Sequence, residues 1–379
     1  MENIQKSELL KNAPKPFIPN LLPINYLEEL VKNHELMKLL NTASLKLGEY
    51  RGYLCNLINP TLLISPLISQ EAVLSSKLEG THATLEDLLK FDANISSDIA
   101  RDELMEVSNY RSALYYALDN ISTINEDDGK LPLTSRIIKE MHKLLLNNVR
   151  GESKNPGHFK RQQNYIVSAN GVVFTPLPAN MVDDYMANLE KYIHYDDFNE
   201  LLQIAIIHSQ FEMIHPFEDG NGRIGRLLIP LFLYYREILP LPTFYMSSYF
   251  NNDRNLYLEA LNSVSATGSF AHWFKYFLNG IIYSANESTV KAIQISSLYD
   301  EMKEKIINTL NSVHAIQMLD FIFEHPIFKA KQLIENDSLN IPSKTVYNLL
   351  NKLIKDEILI DDGQMRNKTY LCAKLIRLL

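Results

Sequence analysis

Apolar residues recur at helical spacing along most of the chain. Leu27, Leu30, Val31, Leu36, Leu39 and Leu40 follow this period, as do Val107, Tyr110, Leu114 and Leu118. Leu201, Leu202, Ala205, Ile206, Phe211 and Ile214 form a third run, and Leu227, Leu228, Leu231 and Phe232 a fourth. Glycine occupies only 13 of 379 positions, too few for an all-β chain with many tight turns. The pattern predicts a mainly α protein. Residues 12–25, with Pro14, Pro16, Pro19 and Pro23, read as an extended lead-in. Between Asn164 and Phe174 the period changes: two short β-prone runs flank Asn170-Gly171, which predicts a hairpin turning on those two residues. Pro176 and Pro178 end its second strand.

From Val313 onward the texture shifts again. Helical runs over Ile316–Phe323 and Lys329–Glu335 precede a helix start at Pro342-Ser343, and Val346, Leu349, Leu350, Leu353 and Ile354 then share a face. Ile358–Ile360 and Lys368–Leu371, around Asp362-Gly363, read as a small hairpin. Three helices and a hairpin predict a winged helix-turn-helix.

Composition narrows the function. The chain is 46% hydrophobic and 22% charged, as expected of a globular protein with substantial cores. A formal charge of -8 argues against a surface that binds nucleic acid or anionic lipid throughout. Cys55 and Cys372 lack metal-ligand spacing and read as reduced thiols. Met1 to Lys15 carry five charged side chains and no long apolar run, so no secretion signal is expected. The most apolar stretch, Leu227 to Tyr235, is about half the length of a membrane span. A cytoplasmic location without membrane contact is the expectation.

The candidate chemistry lies in residues 215–226, which read His215-Pro216-Phe217-Glu218-Asp219-Gly220-Asn221-Gly222-Arg223-Ile224-Gly225-Arg226 between two apolar helices. Gly220-Asn221-Gly222 opens the second helix, where backbone N–H groups and the helix dipole attract an anion. Arg223 and Arg226, at i and i+3, flank that position and suit phosphates. Asp219 offers an oxygen ligand for Mg²⁺, which commonly binds through one carboxylate plus substrate phosphates. His215 is a candidate general base near neutral pH. A base, a metal ligand, an anion nest and two arginines point to phosphoryl or nucleotidyl transfer.

The segment resembles the signature of the Fic family, His-x-Phe-x-(Asp/Glu)-Gly-Asn-Gly-Arg-x-x-Arg, at every fixed position. The resemblance implies transfer of AMP from ATP, with Mg or Mn, to Ser, Thr or Tyr hydroxyls of target proteins and of the chain itself. It implies that His215 deprotonates the target hydroxyl and that Phe217 anchors the loop. Asp219 would hold the metal, and Gly220 to Gly222 would cradle phosphate oxygens. Arg223 would contact the β-phosphate and Arg226 the γ-phosphate, with Pro216 and Glu218 completing the ATP-binding stretch. Upstream, Ser75-Ser76-Lys77-Leu78-Glu79-Gly80 resembles the inhibitory motif of Fic proteins whose inhibitory helix precedes the core. Ser75, Glu79 and Gly80 are its fixed positions, and Glu79 would pair with Arg226 and exclude the γ-phosphate. Residues 156–174 resemble the flap that docks a target chain by its backbone edge. Asn252 and Tyr257 resemble the stretch that closes over adenine, and Gln210 is a further candidate for the nucleotide. His208 reads as a satisfied buried histidine.

These readings divide the chain into a helical N-terminal region (1–115, inhibitory motif 75–80), a catalytic core (116–289, flap 164–174, signature 215–226) and a winged-helix domain (290–379). Fic-like proteins that move other groups keep the same histidine, and a glutamate placed like Glu79 can align water for AMP removal. A regulator acting through the winged helix is the alternative of a different class. Residues 313–379 carry nine Lys/Arg and eight Asp/Glu, a net of +1 against -9 for the remainder. That balance disfavours DNA and favours protein–protein contact or a homodimer.

Overall fold

The computed structural model describes residues 13–57, 63–126, 128–149, 151–168, 171–336, 339 and 341–379. Six helices come first: α1 (Leu27–Lys32), α2 (His34–Asn56), α3 (Ile64–Leu78), α4 (Leu85–Asp92), α5 (Arg101–Asn120) and α6 (Ser135–Leu145). The strands β1 (Ile166–Ser168) and β2 (Gly171–Phe174) follow, then α7 (Val182–Ile193), α8 (Glu200–Ile214), α9 (Asn221–Tyr235), α10 (Ser247–Asn252), α11 (Arg254–Thr267) and α12 (Ala271–Leu310). The C-terminal part is α13 (Ala315–Glu324), β3 (Ile327–Lys329), α14 (Ala330–Ile334), α15 (Ser343–Lys355), β4 (Ile360–Asp361), β5 (Thr369–Leu371) and α16 (Ala373–Ile376).

Helix α8 is apolar all round, which suits only a central position. Every residue from Leu201 to Ile214 is buried. Asn199 starts it by accepting from the backbone N–H groups of Leu201 and Leu202. Helix α9, almost as apolar, packs against it, and the loop between them carries the signature. Trp273 of α12 is fully buried and donates its indole N–H to the Ala205 carbonyl. Helix α2 runs along α12, and Tyr50 donates to Thr243 in the same core. Helix α3 wedges between α5, α9 and α10, so its C-terminal end reaches the α8–α9 loop.

Helix α12 is continuous over 40 residues, so the division expected at 289/290 falls inside it. After α12, β3, β5 and β4 form an antiparallel sheet in that order. The pairing Ile327↔Leu371 adds a third strand to the expected hairpin, and the helix expected from Lys329 begins at Ala330. A three-residue strand is too short to display a period of two. In the flap, Gly171 pairs with Ser168 as a strand residue, one place beyond the turn position expected of it. Asn170 lies outside the described residues.

Candidate active site

The loop 215–220 is built on two left-handed residues. His215 ends α8 at φ 49° while its N–H donates to the Phe211 carbonyl (2.8 Å), and Gly220 starts α9 at φ 75°. Phe217 is fully buried, and the Asn221 side chain clasps its backbone by accepting from its N–H and donating to its C=O, both at 2.8 Å. His142 of α6 supports the other side of the loop, its ring stacked on Phe217 at 3.7 Å. Its Nδ1 accepts from the Gly157 N–H (2.9 Å), so Nε2 carries the proton and donates to the Asp219 carbonyl (2.9 Å). Burial pushes this imidazole down to about 4, which keeps it neutral in this role.

The base of the flap is bonded to the same loop. The Lys160 N–H donates to the Pro216 carbonyl (2.7 Å), and its ammonium donates to Ile214 O (3.1 Å) and Asn164 Oδ1 (2.7 Å). Asn164 in turn donates to the carbonyls of His215 (3.2 Å) and Phe217 (2.9 Å).

A cavity of about 440 Å³ opens above the loop, the size of a small-molecule site. His215, Asp219 and Gly220 to Gly222 line it together with Glu79, Arg226 and Arg254. Burial, with the Lys160 charge, pushes His215 down to about 4, so the imidazole is neutral and its lone pair available. Asp219 Oδ1 accepts from the Gly220 N–H (2.7 Å). Glu218 also lines the cavity and accepts from Asn155 (2.6 Å). No group of three or more His, Cys, Asp or Glu side chains with metal-binding geometry occurs among the described residues. One carboxylate at a phosphate nest fits a hard cation that takes its other oxygens from substrate and water.

Helix α3 brings Glu79 to this cavity. Its end is a Schellman motif: Thr81 N–H donates to Ser76 O (3.2 Å) and Gly80 N–H to Lys77 O (3.0 Å), with Gly80 at φ 95°. Glu79 occupies the C-cap, where the helix dipole disfavours a carboxylate. Arg226 offsets this. Its Nη2 donates to Glu79 Oε1 (2.6 Å) and Ser75 O (3.0 Å), and its Nε donates to Ser75 Oγ (2.7 Å). Burial alone would raise the Glu79 carboxyl, but Arg226, with Arg223 and Arg254, holds it below the ordinary carboxylate range. A methyl group added at Gly222 would collide with Glu79 Oε1, so this carboxylate sits over the start of α9. Arg254 Nε donates to Leu78 O (3.2 Å) and ties the end of α3 to α11. Arg223 Nη1 lies 3.6 Å from buried Glu106.

The remaining expected residues separate into two groups. Tyr257 borders the cavity, but its ring is buried against Phe250 and its hydroxyl meets His208 Nε2 (2.9 Å). His208 Nδ1 meets Gly225 O (2.9 Å), so both of its nitrogens are engaged. Gln210 and Asn252 are not brought to the site. Gln210 turns away and donates to Asn20 O (2.9 Å), fastening the N-terminal lead-in, and Asn252 is exposed outside the cavity. His142, Glu106 and Glu212 were not anticipated; His142 and Glu106 are isolated residues on their helices and carry no local signal. For Glu212 a signal existed: a carboxylate three positions before His215 shares its helix face.

Residues 37–119 match the Fic/DOC family N-terminal model and residues 132–233 the Fic/DOC family model. A probable protein adenylyltransferase of Aquifex aeolicus is 34% identical over 70 residues, 18% of this chain and 22% of the relative. Protein adenylyltransferase Fic of Drosophila mojavensis is 30% identical over 155 residues, 40% of this chain and 27% of the relative. The chain thus spans about a quarter of the length of these curated relatives. Among solved structures, a Fic family protein from Desulfovibrio desulfuricans superposes with a TM-score of 0.57 at 18% identity, covering 94% of this chain and 98% of that one. Fic-1 (residues 134–508) of Caenorhabditis elegans gives 0.54 at 19% identity, covering 71% and 76%. No helix among the described residues is long and apolar enough to cross a membrane.

Proposed function

We propose, for a chain that belongs to the Fic/DOC family over residues 37–119 and 132–233, that it transfers AMP from ATP to protein hydroxyl groups and is restrained by its own Glu79. One observation carries the reading. The Glu79 carboxylate lies on Arg226 and against Gly222, at the anion-attracting start of α9, within one cavity with His215 and Asp219. A carboxylate there occupies the place and the guanidinium that a terminal phosphate needs.

In this reading the neutral His215 accepts the proton of a target hydroxyl as that oxygen attacks the α-phosphorus. The bond from the α-phosphorus to the β-phosphate oxygen breaks, and pyrophosphate leaves. The start of α9 at Gly220–Gly222 is assigned to the phosphate oxygens, and Arg223 and Arg226 to the β- and γ-phosphates. Asp219 would hold Mg²⁺ or Mn²⁺, which supplies charge neutralisation of the phosphates when bound. The flap edge takes the target backbone, and the C-terminal unit, read as a winged helix, serves partner choice or dimerisation rather than DNA.

A second reading, removal of AMP from modified proteins, rests on the same carboxylate, which lines the cavity beside His215 and can align water. Incubation of the chain with each labelled nucleoside triphosphate, with and without His215→Ala, separates the readings. Label from the α-phosphate of ATP that depends on His215 supports AMP transfer. Label from another nucleotide alone, or release of AMP from pre-labelled protein without any transfer, would replace it.

A further inference from the structure

Helix α8 carries a second ionisable group into the site, three residues before His215. Glu212 is buried, lines the cavity, and places Oε2 3.7 Å from His215 Nδ1. Neither Glu212 Oε1 nor His215 Nδ1 has a hydrogen-bond partner, although both are buried. Leaving such atoms unpaired costs free energy, so a buried carboxyl group that sets Oε2 near Nδ1 and turns Oε1 to Gly225 calls for a further explanation. The sequence makes room for it: a methyl group at Gly225, one helical position before Arg226, would collide with Glu212 Oε1. The Glu212 carboxyl group thus occupies the space that a side chain at Gly225 would take.

We infer that Glu212 is a positioning residue for His215, its carboxyl group holding the Nδ1 edge of the imidazole so that Nε2 faces the target hydroxyl. The inference rests on His215 acting as the base. As Nε2 takes the hydroxyl proton the ring becomes cationic, and the Nδ1–H then closes on Glu212 Oε2 as a charge-assisted hydrogen bond. The charged and titratable groups facing this carboxyl are Arg226 from α9, Glu79 from α3, Tyr257 from α11 and His215 itself. Burial pushes the Glu212 carboxyl up to about 8, with Arg226 pulling it down and Glu79 pushing it further up. The ionised form, the one that stabilises an imidazolium, is therefore gained as pH rises towards the alkaline side of neutrality.

The test measures self-labelling from α-labelled ATP at saturating ATP and Mg²⁺, in the wild-type chain and in Glu79→Gly, between pH 6 and pH 9. Glu212→Gln keeps the shape and removes the charge. It should lower the maximal rate about ten- to a hundredfold, the range of a lost orienting or acid–base group. ATP affinity should change less than about twofold, and the rise in rate with pH should flatten. Gly225→Ala displaces the carboxyl without removing it and favours the helix. It should lower the rate in the same way, yet add no further loss on top of Glu212→Ala. A wild-type rate in Glu212→Gln, or a loss that leaves the pH profile unchanged, overturns the inference. If His215→Ala labels as well as wild type, the base assignment itself fails, and that outcome is read independently of Glu212.

Discussion

Replacing Glu79 by glycine should raise AMP transfer, and the structure sets the size of the effect. Arg226 makes three side-chain bonds towards α3, two to Ser75 and one of 2.6 Å to Glu79 Oε1. The guanidinium side chain is 3% exposed and the carboxylate side chain 35%. An exposed ion pair contributes about 0.2–1 kcal/mol, and a hydrogen bond to a charged group about 1.5–3 kcal/mol. With one partner buried and the other screened, the lower part of the second range applies, roughly 1.5–2 kcal/mol. Because 1.4 kcal/mol is a tenfold change, freeing Arg226 for the γ-phosphate should favour productive ATP by roughly ten- to thirtyfold. Glu79→Gln keeps the shape and loses the charge, so it should fall between wild type and Glu79→Gly.

The pH dependence follows from the sign of the shift. The Glu79 carboxyl lies below its ordinary range when paired, so the restraint is fully present above that range and is lost only as pH falls through the depressed value. Glu79→Gly should accordingly exceed wild type throughout pH 6 to pH 9. The assay is incorporation of labelled AMP at matched concentration, with Glu79→Gly/His215→Ala as the blank. Unchanged or lower incorporation in a folded Glu79→Gly protein would refute the restraint and leave Glu79 as a helix-end carboxylate with a structural partner.

His215→Ala should reduce transfer about 100- to 10,000-fold while ATP binding, followed by titration, persists through the arginines and the loop. Asp219→Ala should weaken nucleotide binding only where it depends on Mg²⁺, so the ATP affinities with and without the cation should converge. Gly80→Ala places a side chain at φ 95° with no neighbour within 4 Å of its Cβ, so its effect is backbone strain alone. That strain, about 1–2 kcal/mol, should loosen the end of α3 and raise labelling part of the way to Glu79→Gly. Lys160→Ala leaves the Ile214 carbonyl and Asn164 Oδ1 short of a donor, costing about 1–3 kcal/mol in thermal unfolding. Its labelling of added target should fall more than its ATP affinity.

The parts of the site that were legible are those whose chemistry is written in consecutive residues. His215 through Arg226 form one loop and one helix turn, so their spacing already fixes their relative geometry, and one cavity is lined by His215, Asp219, the glycines and Arg226. Glu79 is different, since 147 positions separate it from Arg226. Only its motif connected the two, and the physical reason becomes visible once the Schellman turn at Gly80 aims the C-cap at α9. Gln210 failed because proximity in sequence to His215 does not specify a helix face. Five residues turn a helix by 500°, and its amide ends on the N-terminal lead-in instead. Glu212, at three residues, shares the face of His215, yet on a helix buried all round an acidic residue has no amphipathic pattern to break. His142 was hidden differently: it lies on the buried face of an amphipathic helix, and its role shows only once its ring is found stacked on Phe217. Buried polar residues on apolar helices are therefore where structure adds most to this sequence, because their cost has meaning only when the partner across the gap is known.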